Sequence, residues 1–447
     1  MKKIFLILFL AFILRIIVVF WSLEYREHID VLRYKDWSRI AYLYGLADTY
    51  KTHHLTFGGI PNNQPPGSLY FLSAAYTVDF QVTKIFLKLT HTPPGDNIWV
   101  NVSLVTLFLR LPSVFADIGI GILIYLFIKK RKSEKAALLG SSLFLFSPPV
   151  WYNSAFWGQM DSLNNLFFFA GVFLLYEKKY FFAILSVCLS LFIKLSVLPG
   201  IIVFCFLLVL HKQKNRWQLI VWSVISLLFI GILSLPVAKG NLFWLVDFVQ
   251  KNSLGEMQYI TNFAFNFWWF FFQSFLTIES TKNLYAYSII TIHHTPTADT
   301  QFIGVSLRIW ATGLFLILLA PFLAFLFKIR KHMTPEKGIL ALSISLLIGF
   351  MILPTMHERY LYPVLPFLAT YVGLQKKYLT VFILLSLFNA LNLYIVWHPM
   401  KLFFLPYELI NNGIFQWLIS LGIVVTSVYF YQSAWKLFGA RDKKIPA

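Results

Sequence analysis

Apolar runs close to twenty residues long recur along the whole sequence, and this recurrence constrains the fold more than any other feature. A helix rises about 1.5 Å per residue, so about twenty residues cross the roughly 30 Å hydrocarbon core of a bilayer. Such segments are placed at 4–22, 103–128, 136–152, 160–176, 180–196, 197–210, 217–237, 308–328, 338–354, 361–375, 378–396 and 414–432. In lipid, backbone groups must be satisfied within the chain, and continuous apolar runs of this length select helices over a closed barrel. Composition agrees, with 58% of the 447 residues hydrophobic and only 13% charged, about half the charged share of a soluble domain. The expected fold class is all-α, a polytopic membrane protein with about twelve transmembrane helices forming one domain over 1–447.

A net charge of +19 raises the question of nucleic acid. The basic residues punctuate the ends of apolar runs instead of forming one stripe, so no nucleic-acid partner is expected. They sit at the N-terminus, at 129–135, 177–179, 211–216, 328–337 and 375–377, and from Trp435 to the C-terminus. These segments hold 22 of the 38 Lys and Arg but only Glu134, Glu177, Glu336 and Asp442 of the 19 acids. Short loops rich in Lys and Arg stay on the cytoplasmic side, which predicts cytoplasmic N- and C-termini. The expected location is the cell membrane of a prokaryote or the ER membrane. The first apolar run lacks a small-residue cleavage site and is read as an uncleaved first helix. Cys188 and Cys205 both lie inside apolar runs, so no disulfide framework is indicated.

This topology leaves two long outer loops, 23–102 and 238–307. Within them, 69–89 is apolar but interrupted by Asp79 and Lys84, and 263–272 is dense in aromatic residues. Both are laid along the membrane interface, where aromatic belts collect.

Three polar constellations fall on the predicted outer side. In EHIDVLRYKDW, Asp30 and Asp36 flank Arg33 and Lys35 and precede Trp37. A carboxylate just above the membrane suits a general base or a divalent cation; a solvated amphipathic helix is the plainer reading. In NSAFWGQMDSLNN, Gln159, Asp161, Asn164 and Asn165 lie where a helix pair turns back into apolar sequence, with Asp161 and Asn165 on one helix face. Such groups line cavities or bond neighbouring helices. In PTMHERYLYPVLP, His357, Glu358 and Arg359 open a helix, a place suited to phosphate or to an outer ion pair. Lys194 lies between apolar flanks near the outer end of its helix, so snorkelling and function are both open; Arg15 and Arg110 share that ambiguity.

Other signals are weaker. His53-His54 and His293-His294 are adjacent pairs with poor geometry for one metal, and Asp30 and Asp36 are too far apart for a tight acid pair, so no metal is expected. Asn101-Val102-Ser103 is a glycosylation sequon only in a eukaryotic secretory pathway. Walker-type and dinucleotide glycine motifs are absent, leaving a nucleotide-sugar or ATP site unsupported.

Together the three motifs resemble the GT-C superfamily of polyprenyl-phosphate-sugar-dependent glycosyltransferases. FWGQMDSLNN and MHERYLYP are similar to prokaryotic mannosyltransferases related to the GPI second-mannose transferase. A more distant similarity is to the dolichyl-phosphoglucose-dependent glucosyltransferases of N-glycan assembly, which carry HFQYN and HEK at the corresponding places. Their first-loop acid, spacer and Trp are matched by Asp30 and Trp37, and their aromatic-Pro-Pro by Gln64-Pro65-Pro66, where the aromatic is missing.

The resemblance implies an inverting hexosyltransferase, mannosyl before glucosyl, acting on the extracytoplasmic face. Asp30 would be the catalytic base. His357 and Arg359 would contact the donor phosphate, with Lys194 assigned to the same donor site. Gln159 and Asp161 would line the sugar pocket. Trp37, Glu358, Asn165, Pro65 and Pro66 would support the site. The implied partners are the bilayer, a polyprenyl-phosphate sugar donor and a glycan, glycolipid or protein acceptor, with no cofactor. A lipid-linked glycan transporter or ligase is the competing class; transporters often show inverted repeats, and none is visible here.

Overall fold

Helices occur at all twelve places where the sequence predicts them. The computed structural model describes residues 2–25, 27–56, 59–90, 104–211, 215–241, 243–255, 258–272, 277–283, 288–399, 402 and 405–439. The sequon at 101–103, the basic residues at 212–214 and the C-terminal stretch from 440 lie outside the described residues.

The chain divides into two units. The first comprises residues 1–126, 141–197 and 212–256, and the second 127–140, 198–211 and 257–447. The first holds α1 (Lys2–Ser22), α2 (Ile29–Tyr44), α3 (Pro66–Leu89), most of α4 (Leu104–Lys129) and the end of α5 (Glu134–Leu145). It continues with α6 (Pro148–Trp151), a π-helical turn (Tyr152–Trp157), α7 (Asp161–Tyr176) and α8 (Tyr180–Ile193). After α9 (Leu198–His211), which belongs to the second unit, it resumes with α10 (Trp217–Ala238) and α11 (Trp244–Gly255).

The described residues between α1 and α4 are largely helical. In α2, Tyr34, Trp37 and Ala41 recur at helical spacing, and Leu69, Leu72 and Tyr76 do the same in α3. These two stripes meet in one buried cluster that also takes in Leu109, Met160, Leu163 and Ile193. Trp37 is 1% exposed and donates its indole N–H to the Ile60 carbonyl at 3.0 Å, so its polar atom is satisfied inside the core. The start of α3 approaches the end of α8 so closely that a Cβ on Gly67 would lie 2.6 Å from the Phe192 carbonyl oxygen.

The predicted helix 136–152 is interrupted. Pro148 and Pro149 begin a new helix after Ser147, whose extended backbone is what a residue before proline prefers. The π-helical turn follows and ends at Gly158, which has φ +87°.

The second unit holds α12 (Phe267–Phe272), α13 (Leu307–Lys328), α14 (Pro335–Ile352), α15 (Val364–Gln375), α16 (Leu379–Val396), α17 (Tyr407–Ile410) and α18 (Gly413–Gly439). The segment between α10 and α13 also carries strands. β1 (Thr261–Asn262) pairs in parallel with β6 (Met356–His357), while β2 (Thr277–Asn283) and β3 (Ser288–His294) form an antiparallel hairpin with Thr277 opposite His294. β4 (Gln301–Phe302) and β5 (Val305–Ser306) form a second short antiparallel pair. Within the aromatic stretch 263–272, Trp268 and Phe272 are buried with Ile260, Leu307 and Ala311, while Phe271 is exposed. The Trp268 indole N–H reaches the Ile352 carbonyl at 2.7 Å, so its polar atom is satisfied within the protein.

Among the described residues, seven helices are long and apolar enough to cross a membrane: α1, Thr106–Lys129 of α4, α10, α13, α14, α16 and Gly413–Phe438 of α18. The other five predicted spans are α5, α7, α8, α9 and α15, with 12 to 16 residues each. At 1.5 Å per residue these reach only about 18–24 Å, short of a full crossing alone. The fold is all-α in its membrane part and polytopic.

Candidate active site

The first two sequence constellations meet in the first unit. Asp30 lies in the first turn of α2, where the His28 ring nitrogen accepts the Asp30 backbone N–H at 3.1 Å and caps the helix. Its carboxylate side chain is 14% exposed. Gln159, 129 positions away, donates from Nε2 to Asp30 Oδ2 at 2.6 Å. The Gln159 carbonyl oxygen Oε1 accepts the Tyr34 hydroxyl at 3.1 Å, and Gln64 Nε2 donates to that hydroxyl oxygen at 3.2 Å. The relay Gln64–Tyr34–Gln159–Asp30 thus runs donor to acceptor in one direction. Because the Tyr34 proton occupies Oε1, the amide of Gln159 is turned with its N–H groups toward the carboxylate. Arg33 Nη1 stands 3.4 Å from Asp30 Oδ1, and His28 Nδ1 is 3.3 Å from Oδ2.

The local fold explains how Gln159 reaches this place. Its backbone N–H bonds the Asn153 carbonyl at 2.9 Å across the π-helical turn, and its own carbonyl accepts Ser113 Oγ at 2.7 Å. Gly158 makes the turn possible, since φ +87° disfavours side chains and a Cβ there would sit 2.9 Å from Arg110 Nε. π-Helical turns are uncommon and concentrate at functional sites.

Gln159 is fully buried and Asp161 is 1% exposed. At the start of α7, Asp161 pairs with Lys194 at 2.5 Å, while Asn153 Nδ2 lies 3.4 Å from its other oxygen. Lys194 therefore does not snorkel; it is 6% exposed, at the extended residue that caps α8. Asn164 reaches Ser196 Oγ at 3.0 Å, and Ser190 Oγ donates to the Asn164 carbonyl at 2.7 Å, fastening α7 to the end of α8. Asn165 turns back on its own helix, donating to the Asp161 carbonyl at 2.7 Å.

Pro65 and Pro66 start α3, with Pro66 as its first residue, and their neighbour Gln64 supplies the outer end of the Tyr34 relay. Asp36 is fully buried and accepts Thr56 N–H at 3.0 Å and Thr56 Oγ1 at 2.5 Å, so it pins the loop beyond α2. Arg15 and Arg110 also have structural partners. Arg15 Nε donates to Asp117 at 2.8 Å, an oxygen shared with Ser154 at 2.6 Å, and Arg110 bonds Ser22. Of the histidine pairs, His54 stacks on Tyr44 with ring centroids 3.8 Å apart, and His293-His294 ends β3.

The third constellation lies in the second unit, on a short 3₁₀ turn, Glu358–Leu361, after β6. Glu358 is 2% exposed, with Arg359 Nη1 at 2.7 Å from one carboxylate oxygen and His357 Nδ1 at 3.6 Å from the other. Burial by itself would raise the carboxyl of Glu358. The Arg359 charge and the adjacent His357 imidazole outweigh it and lower the pKa to about 2. A carboxylate so held is a poor proton acceptor at neutral pH, but it anchors a cation and an imidazole side by side. The segment is fixed by the chain around β1: the Thr355 N–H bonds the Ile260 carbonyl at 2.7 Å, and β1 pairs with His357. Asn392 of α16 clamps that stretch by accepting the Phe265 N–H at 3.0 Å and donating to the Phe263 carbonyl at 2.7 Å.

Sequence reasoning did not single out Tyr34, Gln64 as a relay member, or Asn392. Tyr34 and Trp37 share the buried face of α2 at i, i+3, which signals core but gives no hint of the hydroxyl's partner.

No protein-family model matches the chain, and no curated protein does. Among solved structures, the chain is similar to ArnT from Cupriavidus metallidurans bound to undecaprenyl phosphate, with 14% identity, TM-score 0.48, and coverage of 96% of this chain and 76% of that one. The same protein in the apo state gives 15% identity, TM-score 0.48, and coverage of 96% and 75%.

Proposed function

We propose that the protein is an inverting glycosyltransferase. It moves a hexose, mannose by the motif resemblance, from a polyprenyl-phosphate donor to an acceptor hydroxyl on the extracytoplasmic face. The observation that carries this reading is the Asp30 carboxylate, partly exposed at the start of a helix and oriented by Gln159 at 2.6 Å. A fixed carboxylate is what deprotonation of an acceptor hydroxyl needs, and in this role Gln159 positions the base instead of touching the sugar.

Two features of the second unit support a lipid-phosphate donor. His357 and Arg359 are paired donors on the buried Glu358 anchor, suited to the charge that develops on a departing phosphate. An apolar cavity of about 330 Å³ lies among α13, α14 and α18, lined by Leu318, Ile344, Met351, Ile352 and Tyr431, and would accept part of an isoprenoid chain. A donor already activated as a lipid phosphate needs no nucleotide fold, and the reading invokes no cofactor or metal. Asp161 and Lys194 neutralise each other and hold α7 against α8 behind Gln159.

The test is turnover by the purified enzyme in lipid with polyprenyl-phosphate mannose against polyprenyl-phosphate glucose, with and without chelator. Transfer from the mannose donor, unaffected by chelator, is expected. A preference for the glucose donor would change the sugar, and no transfer from either would remove the reading.

A further inference from the structure

A second cavity lies in the first unit; Asp30 does not line it, but both belong to the same loop framework. Its volume is about 620 Å³, within the range of small-ligand sites. One wall is the segment 60–63, and the other is a single face of α11, where Trp244, Asp247, Phe248, Lys251 and Asn252 recur at helical spacing. Tyr50 completes the lining, its ring edge against Trp244 at 4.9 Å and Phe248 at 5.3 Å.

The wall at 60–63 is rigidly held. Ile60 accepts the Trp37 indole N–H, the Asn62 backbone N–H reaches the Thr49 carbonyl at 2.8 Å, and Tyr50 Oη donates to the Gln64 carbonyl at 2.9 Å. Asn62 accepts the Gln64 N–H at 2.9 Å on its side-chain oxygen. Its amide nitrogen, on a side chain only 4% exposed, has no hydrogen-bond partner among the described residues.

The lining chemistry selects the ligand class. A lipid tail would not bring Asn62, Asn63 and Asn252 into its pocket. An anionic group would call for an excess of cations, whereas Asp247 and Lys251 balance. Aromatic rings beside neutral amides and one carboxylate match a pyranose, which offers an apolar C–H face and a rim of hydroxyls that both donate and accept. We infer that this cavity is a carbohydrate subsite that holds the acceptor glycan, making the acceptor a saccharide and not a peptide. Gln64 links the two places, its carbonyl bonded by Tyr50 at the cavity and its side chain by Tyr34 in the Asp30 relay. The inference rests on the glycosyltransferase reading for the word acceptor; the saccharide site itself does not.

The experiment is saturation-transfer NMR on full-length protein in nanodiscs, without donor, using methyl α-mannoside, methyl β-glucoside and a mannobiose as probes. Wild type is expected to show transfer to at least one saccharide. Trp244→Ala should weaken it roughly tenfold, the order of a lost aromatic contact, with Trp244→Phe retaining part. Asp247→Asn, a change at an exposed position, should weaken binding with folding intact, and Asp30→Asn should leave it unchanged. No saccharide signal from wild type, or one indifferent to both Trp244→Ala and Asp247→Asn, overturns the subsite. Trp244-dependent binding in a protein that transfers no sugar would remove the enzymatic reading and leave the subsite. Transfer with an acceptor KM indifferent to Trp244→Ala would do the reverse.

Discussion

Gln159 donates a 2.6 Å hydrogen bond to Asp30, and the Tyr34 hydroxyl on its other amide atom dictates which end of Gln159 faces the carboxylate. Two motifs separated by 129 residues thus act as one group. Chains of hydrogen bonds in a low-dielectric interior reinforce each other, so the relay resists reorientation.

The relay predicts a distinctive pH response. Gln159→Leu should lower kcat by roughly 10²-fold with donor KM little changed, because the base is no longer held. Gln159→Glu sets a second carboxylate beside Asp30, which raises the proton affinity of the pair. The acidic limb of the pH–rate profile should then move to higher pH. An unmoved limb would show that the ionisation of Asp30 does not set the rate.

Asp161 and Lys194 form a buried ion pair, and breaking such a pair leaves one charge without its counter-ion. Lys194→Met alone should cost about 3–5 kcal/mol, seen as a large drop in thermal stability in detergent, whereas Asp161→Asn combined with Lys194→Met should recover much of it. Equal losses in single and double variants would show that the pair is not coupled.

In the second unit, Arg359→Lys keeps charge but loses the planar fork and should weaken donor use; Arg359→Ala should be worse. Glu358→Gln removes the anchor of both neighbours and should raise donor KM together with loss of stability. The sign of its pH linkage follows from a lowered pKa. Its contribution is fully present above the ordinary 4.5 and is lost only as pH falls toward 2, so stability between pH 5 and 8 should not depend on this group. Wild-type donor kinetics in Arg359→Ala would reduce Arg359 to an ion-pair partner.

The positive-inside distribution of Lys and Arg predicts an orientation that labelling can check. Cysteines introduced at 238–307 should react with an impermeant reagent from outside, and those at 129–135 should not. Labelling of 129–135 in intact cells would invert the topology.

The helices were legible because apolar periodicity reads directly onto lipid. Asp30, Gln159 and His357 were legible as residue types out of place in an apolar chain. What lay hidden were relationships across distance. Nothing local marks Tyr34 as the residue that orients Gln159, or pairs Lys194 with Asp161. The break at Ser147 was readable from Pro148-Pro149, but the long apolar run masked it. Composition is equally blind to the Ile352 carbonyl that satisfies the Trp268 indole inside the protein. Asp36 looks like a neutral control for Asp30 in sequence; its burial against Thr56 makes it a structural residue whose replacement should cost stability.

Asp30→Asn decides whether Asp30 is the base, since the amide keeps the shape but cannot take a proton at neutral pH. Donor binding should persist, measured with labelled polyprenyl-phosphate mannose, while turnover falls about 10²–10⁴-fold. Turnover near the wild-type rate in folded Asp30→Asn would contradict the assignment.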